Sequence, residues 1–103
     1  MSIFEHLYGI GRTTDLKKII EKGAFLVDVR TPSEFAQGHV KGSVNIPLDK
    51  IPAELAQFEN RNNIIVFCLS GGRSTQAKLI LEKNGFTGVI NGGTWKQVNQ
   101  FVK

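Results

Sequence analysis

Apolar and polar positions along the chain alternate between helical and strand periods. Ile3, Leu7 and Ile10, with Phe4 and Tyr8 at i, i+4 spacing, predict a short N-terminal amphipathic helix. Residues 1–12 either pack on the domain as that helix or serve as an arm, a membrane-surface contact or a dimer contact. Thr14 is placed to cap a helix carrying Leu16, Ile19 and Ile20, with Gly23 just past its end. Ala24-Phe-Leu-Val-Asp-Val29 is a nearly continuous apolar run, as expected of a strand covered on both faces. Thr31-Pro-Ser-Glu34 has capping-box spacing with Pro at the first helical position, and Gly38 stops that helix after one or two turns.

Val44 to Ile46 reads as a short strand, and Asp49 as the cap of a helix carrying Ile51, Leu55 and Phe58, with Pro52 in its first turn. Ile64-Ile-Val-Phe67 is a second buried strand. After Cys68-Leu-Ser-Gly-Gly72 comes a helix opened by Ser74, with Ala77, Ile80 and Leu81 on one face and Gly85 beyond its end. Val89-Ile90 predicts a short last strand, and Thr94 to Val102 a terminal helix holding Trp95, Val98 and Val102. Strands interleaved with helices predict an α/β fold: a small doubly wound parallel sheet of about four to five strands, with helices on both faces.

Composition narrows the class. At 103 residues the chain is one domain's worth. Leu, Ile, Val and Phe make up about a third of it, well above the roughly 20% below which disorder sets in. The net charge of +4 comes from scattered residues, with Lys17-Lys18 the longest basic run. Nucleic-acid binding needs a clustered stripe, so the excess reads as solubility charge with a weak pull on small anions. No apolar stretch approaches the roughly 18 residues of a bilayer span, and the N-terminus lacks the features of a secretory signal. A reducing cytoplasm is the expected location. One cysteine and two histidines supply neither an intramolecular disulfide nor a four-ligand zinc site.

The chemistry concentrates at that cysteine. Cys68 ends a buried strand just before a helix, and in open α/β sheets ligands bind beyond the carboxyl ends of strands. Ser70, Gly71 and Gly72 let the backbone curl, which turns successive amide N–H groups inward beside the positive end of the helix. The expected result is an anion cradle with a sulfur at its floor, and a field that favours thiolate over thiol. The bland alternative is a buried, inert cysteine at a strand end. Neither His6 nor His39 lies in a pattern that marks a catalytic base. A pre-formed thiolate attacking sulfur with a good leaving group needs no such base.

Three motifs together resemble a single-domain rhodanese (thiosulfate sulfurtransferase family), from about Thr13 to Val98. The first is Leu26-Val-Asp-Val-Arg-Thr-Pro-Ser-Glu-Phe-Ala-Gln-Gly-His-Val-Lys-Gly-Ser-Val-Asn-Ile-Pro47, the second Cys68-Leu-Ser-Gly-Gly-Arg-Ser74, and the third Asn91-Gly-Gly-Thr-Trp95. The resemblance implies a rhodanese-like domain over residues 13–103, with Cys68 as the residue that takes sulfane sulfur as a persulfide. It makes the loop from Leu69 through Ser70, Gly71, Gly72, Arg73 and Ser74 the cradle for a small anionic sulfur donor. The Arg73 and Ser74 side chains either bind the donor or anchor the loop. Asp28 and Arg30, two apart at a strand end, share a side and read as a polar network bracing the loop. His39 reads as a satisfied structural histidine and Trp95 as a core anchor. The family commonly adds an edge strand before the first helix, where Gly9-Ile-Gly-Arg-Thr13 offers only a poor one.

The implied reaction moves sulfur from thiosulfate or a persulfide to an external acceptor, cyanide or a thiol, without a cofactor. One rival is a non-turnover persulfide carrier or docking module in a sulfur relay, which shares the loop chemistry. A cysteine phosphatase or arsenate reductase fits less well. Four residues, Leu69 to Gly72, separate Cys68 from Arg73, one fewer than in the phosphatases, and no Asp acid follows the loop. The sequence leaves the oligomeric state open.

Overall fold

The computed structural model describes residues 13–102, so the expected N-terminal helix or arm, His6 and the poor edge strand lie outside the described residues. The order is α1 (Thr13–Glu21), β1 (Phe25–Asp28), α2 (Pro32–Ala36), β2 (Val44–Asn45), two 3-10 segments (Leu48–Ala53 and Leu55–Phe58), β3 (Ile64–Cys68), α3 (Gly72–Lys83), β4 (Val89–Thr94) and α4 (Trp95–Asn99). The four strands form one sheet in the order β2-β1-β3-β4, and every pairing is parallel.

Period-two alternation divides the core between the two faces of this sheet. Val27, Ile64, Val66 and Cys68 face one way and pack with Ile51, Phe58, Ala77 and Leu81 from the 3-10 segments and α3. Leu26, Ile65 and Phe67 face the other way and pack with Leu16 of α1 and Val98 of α4. All five residues of β3 are buried, because it is a central strand covered on both sides. The helices are therefore on both faces, and the carboxyl ends of β1 and β3 lie side by side, with Asp28 paired to Phe67 in register.

Three local expectations change. The first helix begins at Thr13, so Thr14 lies inside it rather than at its cap. The stretch after Asp49 is not an α-helix but two 3-10 segments broken at Glu54. Pro52 has no N–H to give an α-helical bond, and Pro47 stands at the start, where it offers no side-chain cap. The last strand runs on past Ile90 to Thr94, and α4 follows directly, with Thr94 Oγ1 accepting from the Gln97 amide as its N-cap, but ends at Asn99 rather than Val102.

The extension of β4 depends on an irregularity. Val66 pairs with Asn91 but Phe67 with Gly93, which leaves Gly92 as an extra residue in the ladder. A Cβ at Gly92 would stand 2.8 Å from Ile65 Cγ2 and 2.9 Å from Val98 Cγ2, so only glycine fits between sheet and α4. The bulge carries β4 up beside the end of β3, with Thr94 opposite Cys68.

Candidate active site

Cys68 is the last residue of β3 and is fully buried. The chain turns back over it through Leu69 and Ser70, both exposed, to Gly71, whose φ of 103° is accessible at low cost only to glycine. That left-handed turn aims the Gly71 amide down at the sulfur, 3.0 Å from Sγ. The Ser74 amide, in the first turn of α3, is 3.4 Å from Sγ. The thiol in turn lies 3.5 Å from Ser74 Oγ. Helix α3 thus opens two residues earlier than Ser74, and its first turn forms part of the loop.

Two effects compete at this sulfur. Burial pushes the Cys68 thiol up, while hydrogen bonds from the Ser74 hydroxyl and from the Ser74, Gly71 and Ser70 amides pull it down. The hydrogen bonds win, and the thiol is held below its ordinary value. Of the cradle's expected amides, those of Ser70, Gly71 and Ser74 address sulfur. The first-turn N–H groups of a helix have no intrahelical partners, so Gly72 and Arg73 present amides to the loop's surroundings as well.

Among the described residues, two arginines near the loop, Arg30 and Arg73, are both paired. Arg30 grips Asp28 in a fork, Nε at 2.9 Å from Oδ1 and Nη2 at 2.7 Å from Oδ2, and Nη2 also donates to the Gly38 carbonyl at 2.8 Å. The Arg30 guanidinium lies over the Trp95 ring, 4.6 Å from its centroid. This network ties β1 to the Gly38 turn and to α4; its bonds go there rather than to the loop amides. Arg73 makes a second fork, Nη1 at 2.7 Å and Nη2 at 3.0 Å from the two Glu34 carboxylate oxygens. Glu34 also accepts from the Thr31 amide at 3.0 Å and completes the capping box of α2. The Arg73 guanidinium, with the Thr31 amide behind it, holds the Glu34 carboxyl down to about 2.

So the Arg73 side chain anchors the loop to α2, and the Ser74 side chain touches the sulfur. Glu34, read from the sequence only as a cap, is the partner that decides this. Its second role had no local signal, since Arg73 lies 39 residues away. His39 Nδ1–H donates to the Phe35 carbonyl at 2.8 Å, and the ring stacks on the Phe35 ring at 3.8 Å. Trp95 packs on the core but also lines a cavity of about 320 Å³ with Arg30, Glu34, the Gln37-Gly38 turn, Leu69 and Lys96. That cavity opens beside the loop, and Leu69, 55% exposed, forms one wall.

The site is thus a fully buried cysteine, held below its ordinary pKa by turn and helix amides, at the end of a central parallel strand of an α/β domain. Comparison with known proteins places it more narrowly. The family model described as Rhodanese-like domain matches residues 12–97, and the chain belongs to that family. It is 38% identical over 74 residues to Thiosulfate sulfurtransferase PspE of Escherichia coli, covering 70% of this chain and 71% of that one. It is 47% identical over 81 residues to Thiosulfate sulfurtransferase 16, chloroplastic, of Arabidopsis thaliana, covering 65% and 68%. A solved E. coli structure described as a rhodanese with anions superposes with a TM-score of 0.65 at 39% identity, over 71% of this chain and 88% of that one. Among the described residues no helix is long and apolar enough to cross a membrane.

Proposed function

We propose that this protein is a thiosulfate sulfurtransferase that works through a Cys68 persulfide. The observation that carries the reading is the pair of amides, Gly71 and Ser74, directed at a sulfur held below its ordinary pKa. The Cys68 thiolate attacks the outer sulfur of thiosulfate, a new S–S bond forms, and the old one breaks with its electron pair leaving on sulfite. Neither bond change moves a proton, which suits a loop whose own residues, Leu69 to Ser74, include no carboxylate or imidazole. The anionic persulfide remains under the same field, where preorganised donors stabilise charge without reorganising. Cyanide or an external thiolate then takes the outer sulfur and regenerates the Cys68 thiolate, so turnover is ping-pong.

The amides of Leu69, Gly72 and Arg73 are assigned to the anionic end of the donor, and Asp28 with Arg30 to bracing the cavity beside it. A lone cysteine and a persulfide that must not be oxidised suit a reducing compartment such as the cytoplasm. Incubation with thiosulfate should add one sulfur atom to the intact protein, removable by cyanide and absent in Cys68→Ser. Phenyl phosphates should give no turnover. Sulfur loading without turnover on free thiosulfate and cyanide would instead identify a carrier, and hydrolysis of a phosphate ester through Cys68 would overturn the assignment.

A further inference from the structure

Beside the first turn of α3 lies a buried amide that the sulfur-transfer steps do not use. Asn91 of β4 is fully buried. Its Oδ1 accepts the Gly93 amide at 2.9 Å, which fixes the orientation of the amide group. Oδ1 is also 2.7 Å from Ser74 Oγ, and Nδ2 donates to Thr75 Oγ1 at 2.9 Å. Thr75 Oγ1 in turn donates to the Gly71 carbonyl at 2.7 Å, and the Thr75 amide reaches the same carbonyl at 3.1 Å.

The consequence falls on one proton. The Ser74 hydroxyl has a single hydrogen and three acceptors in reach: Asn91 Oδ1 at 2.7 Å, the Gly71 carbonyl at 3.0 Å and Cys68 Sγ at 3.5 Å. Thr75 already supplies the Gly71 carbonyl with two donors, so the choice narrows to Asn91 or sulfur. While Cys68 is a thiol, its S–H can donate to Ser74 Oγ and the hydroxyl donates onward to Asn91. When the thiol loses its proton to solvent, sulfur becomes an acceptor and the hydroxyl can turn to it. Asn91 Oδ1 then still holds the Gly93 amide and is not left bare.

We propose that Asn91 is a positioning residue that acts on Cys68 through Ser74, by competing with the thiolate for the Ser74 hydroxyl. The inference rests on the reading of Cys68 as the reacting sulfur. Asn91 parks the hydroxyl in the thiol form and releases it in the thiolate form, so it sets how far sulfur's negative charge is damped. Among the described residues, the charged groups around the sulfur are paired among themselves: Asp28 with Arg30 at the end of β1, and Glu34 of α2 with Arg73 of α3. Lys96 of α4 lines the cavity beside Leu69. None of these changes in the variants below, so the shift isolates the hydroxyl.

The test is the pH dependence of Cys68 alkylation by iodoacetamide, measured in Asn91→Ala and Asn91→Asp, each with Ser74 and with Ser74→Ala. Asn91→Ala removes the competitor and should lower the alkylation midpoint by about half a pH unit, roughly threefold more thiolate at a fixed low pH. With Ser74→Ala in place the same substitution should shift the midpoint by a third of that or less. Asn91→Asp strengthens the competitor and should raise the midpoint, more with Ser74 present than without it. If Asn91→Ala fails to fold, the isosteric Asn91→Asp pair alone decides. A shift of equal size in both Ser74 backgrounds, or none, overturns the proposal. Native protein that takes no sulfur from thiosulfate, yet shows the Ser74-dependent shift, would overturn the sulfur-transfer reading and leave the Asn91 assignment standing.

Discussion

Two strand ends stand side by side in this sheet, and they solve the same problem in opposite ways. At β1, Asp28 is followed by Arg30 and the Thr31–Glu34 capping box, and long polar side chains close on one another. At β3, Cys68 is followed by Leu69, Ser70 and two glycines, and the backbone itself turns inward. The first end spends its charge on internal pairing, with Arg30 and Asp28 both nearly inaccessible. The second leaves its amides directed at a single soft atom. One end is therefore scaffold and the other is chemistry, although both occupy the carboxyl edge where ligands bind in such sheets. A strand end becomes reactive by lacking side chains that would satisfy its own amides.

The sharpest way to break that contrast is at the scaffold end. Asp28→Ala leaves Arg30 buried without its carboxylate, and such losses cost about 3–5 kcal/mol. Chemical denaturation should show a drop of that order. Alkylation of whatever folded protein remains should still proceed with a near-native pH midpoint, because the loop amides do not depend on the pair.

The reverse change strikes the reactive end. Gly71→Ala forces a Cβ onto a backbone with φ of 103°, at a cost of about 1–2 kcal/mol, and relaxation of that turn swings the Gly71 amide away from sulfur. The alkylation midpoint should rise and sulfur loading should slow, with a smaller loss of stability than in Asp28→Ala. A stability loss without any rise in the midpoint would mean that the Gly71 amide is not what lowers the Cys68 pKa.

The smallest effect belongs to the ion pair that links the two ends. Glu34 titrates near 2 in the folded protein against an ordinary 4.5, so its contribution is complete above about pH 4.5 and is lost as pH falls towards 2. Thermal unfolding midpoints of native protein and Glu34→Gln should therefore differ at pH 6 and converge as the buffer is taken from about 4.5 down towards 2. Both side chains of the pair are about a third exposed, so the gap at pH 6 should be modest. A gap that widens in acid would reverse the sign and refute the pairing.

Much of this was legible in residue order. Strands and helices were visible because burial on both faces writes long apolar runs, as in Ile64–Phe67, and because amphipathic helices repeat every three to four residues. Cys68, the glycines after it and the Thr31–Glu34 box were visible because they are local devices, their partners lying within a few residues. The stretch after Asp49 misled because its apolar spacing suits a helix, while Pro52 inside it removes a backbone donor and the chain forms two short 3-10 segments instead. What only the tertiary structure decided were pairings between distant parts of the chain. Arg73 finds Glu34 across 39 residues, Ser74 finds Asn91 across 17, and the bulge at Gly92 lifts β4 alongside Cys68. Sequence spacing fixes local geometry through the backbone's few allowed conformations, whereas which of several buried polar groups meet depends on how the sheet orders its strands. Asn91 lay past the end of the strand that the sequence predicts, and only the bulged extension of β4 buries it and brings its amide to Ser74.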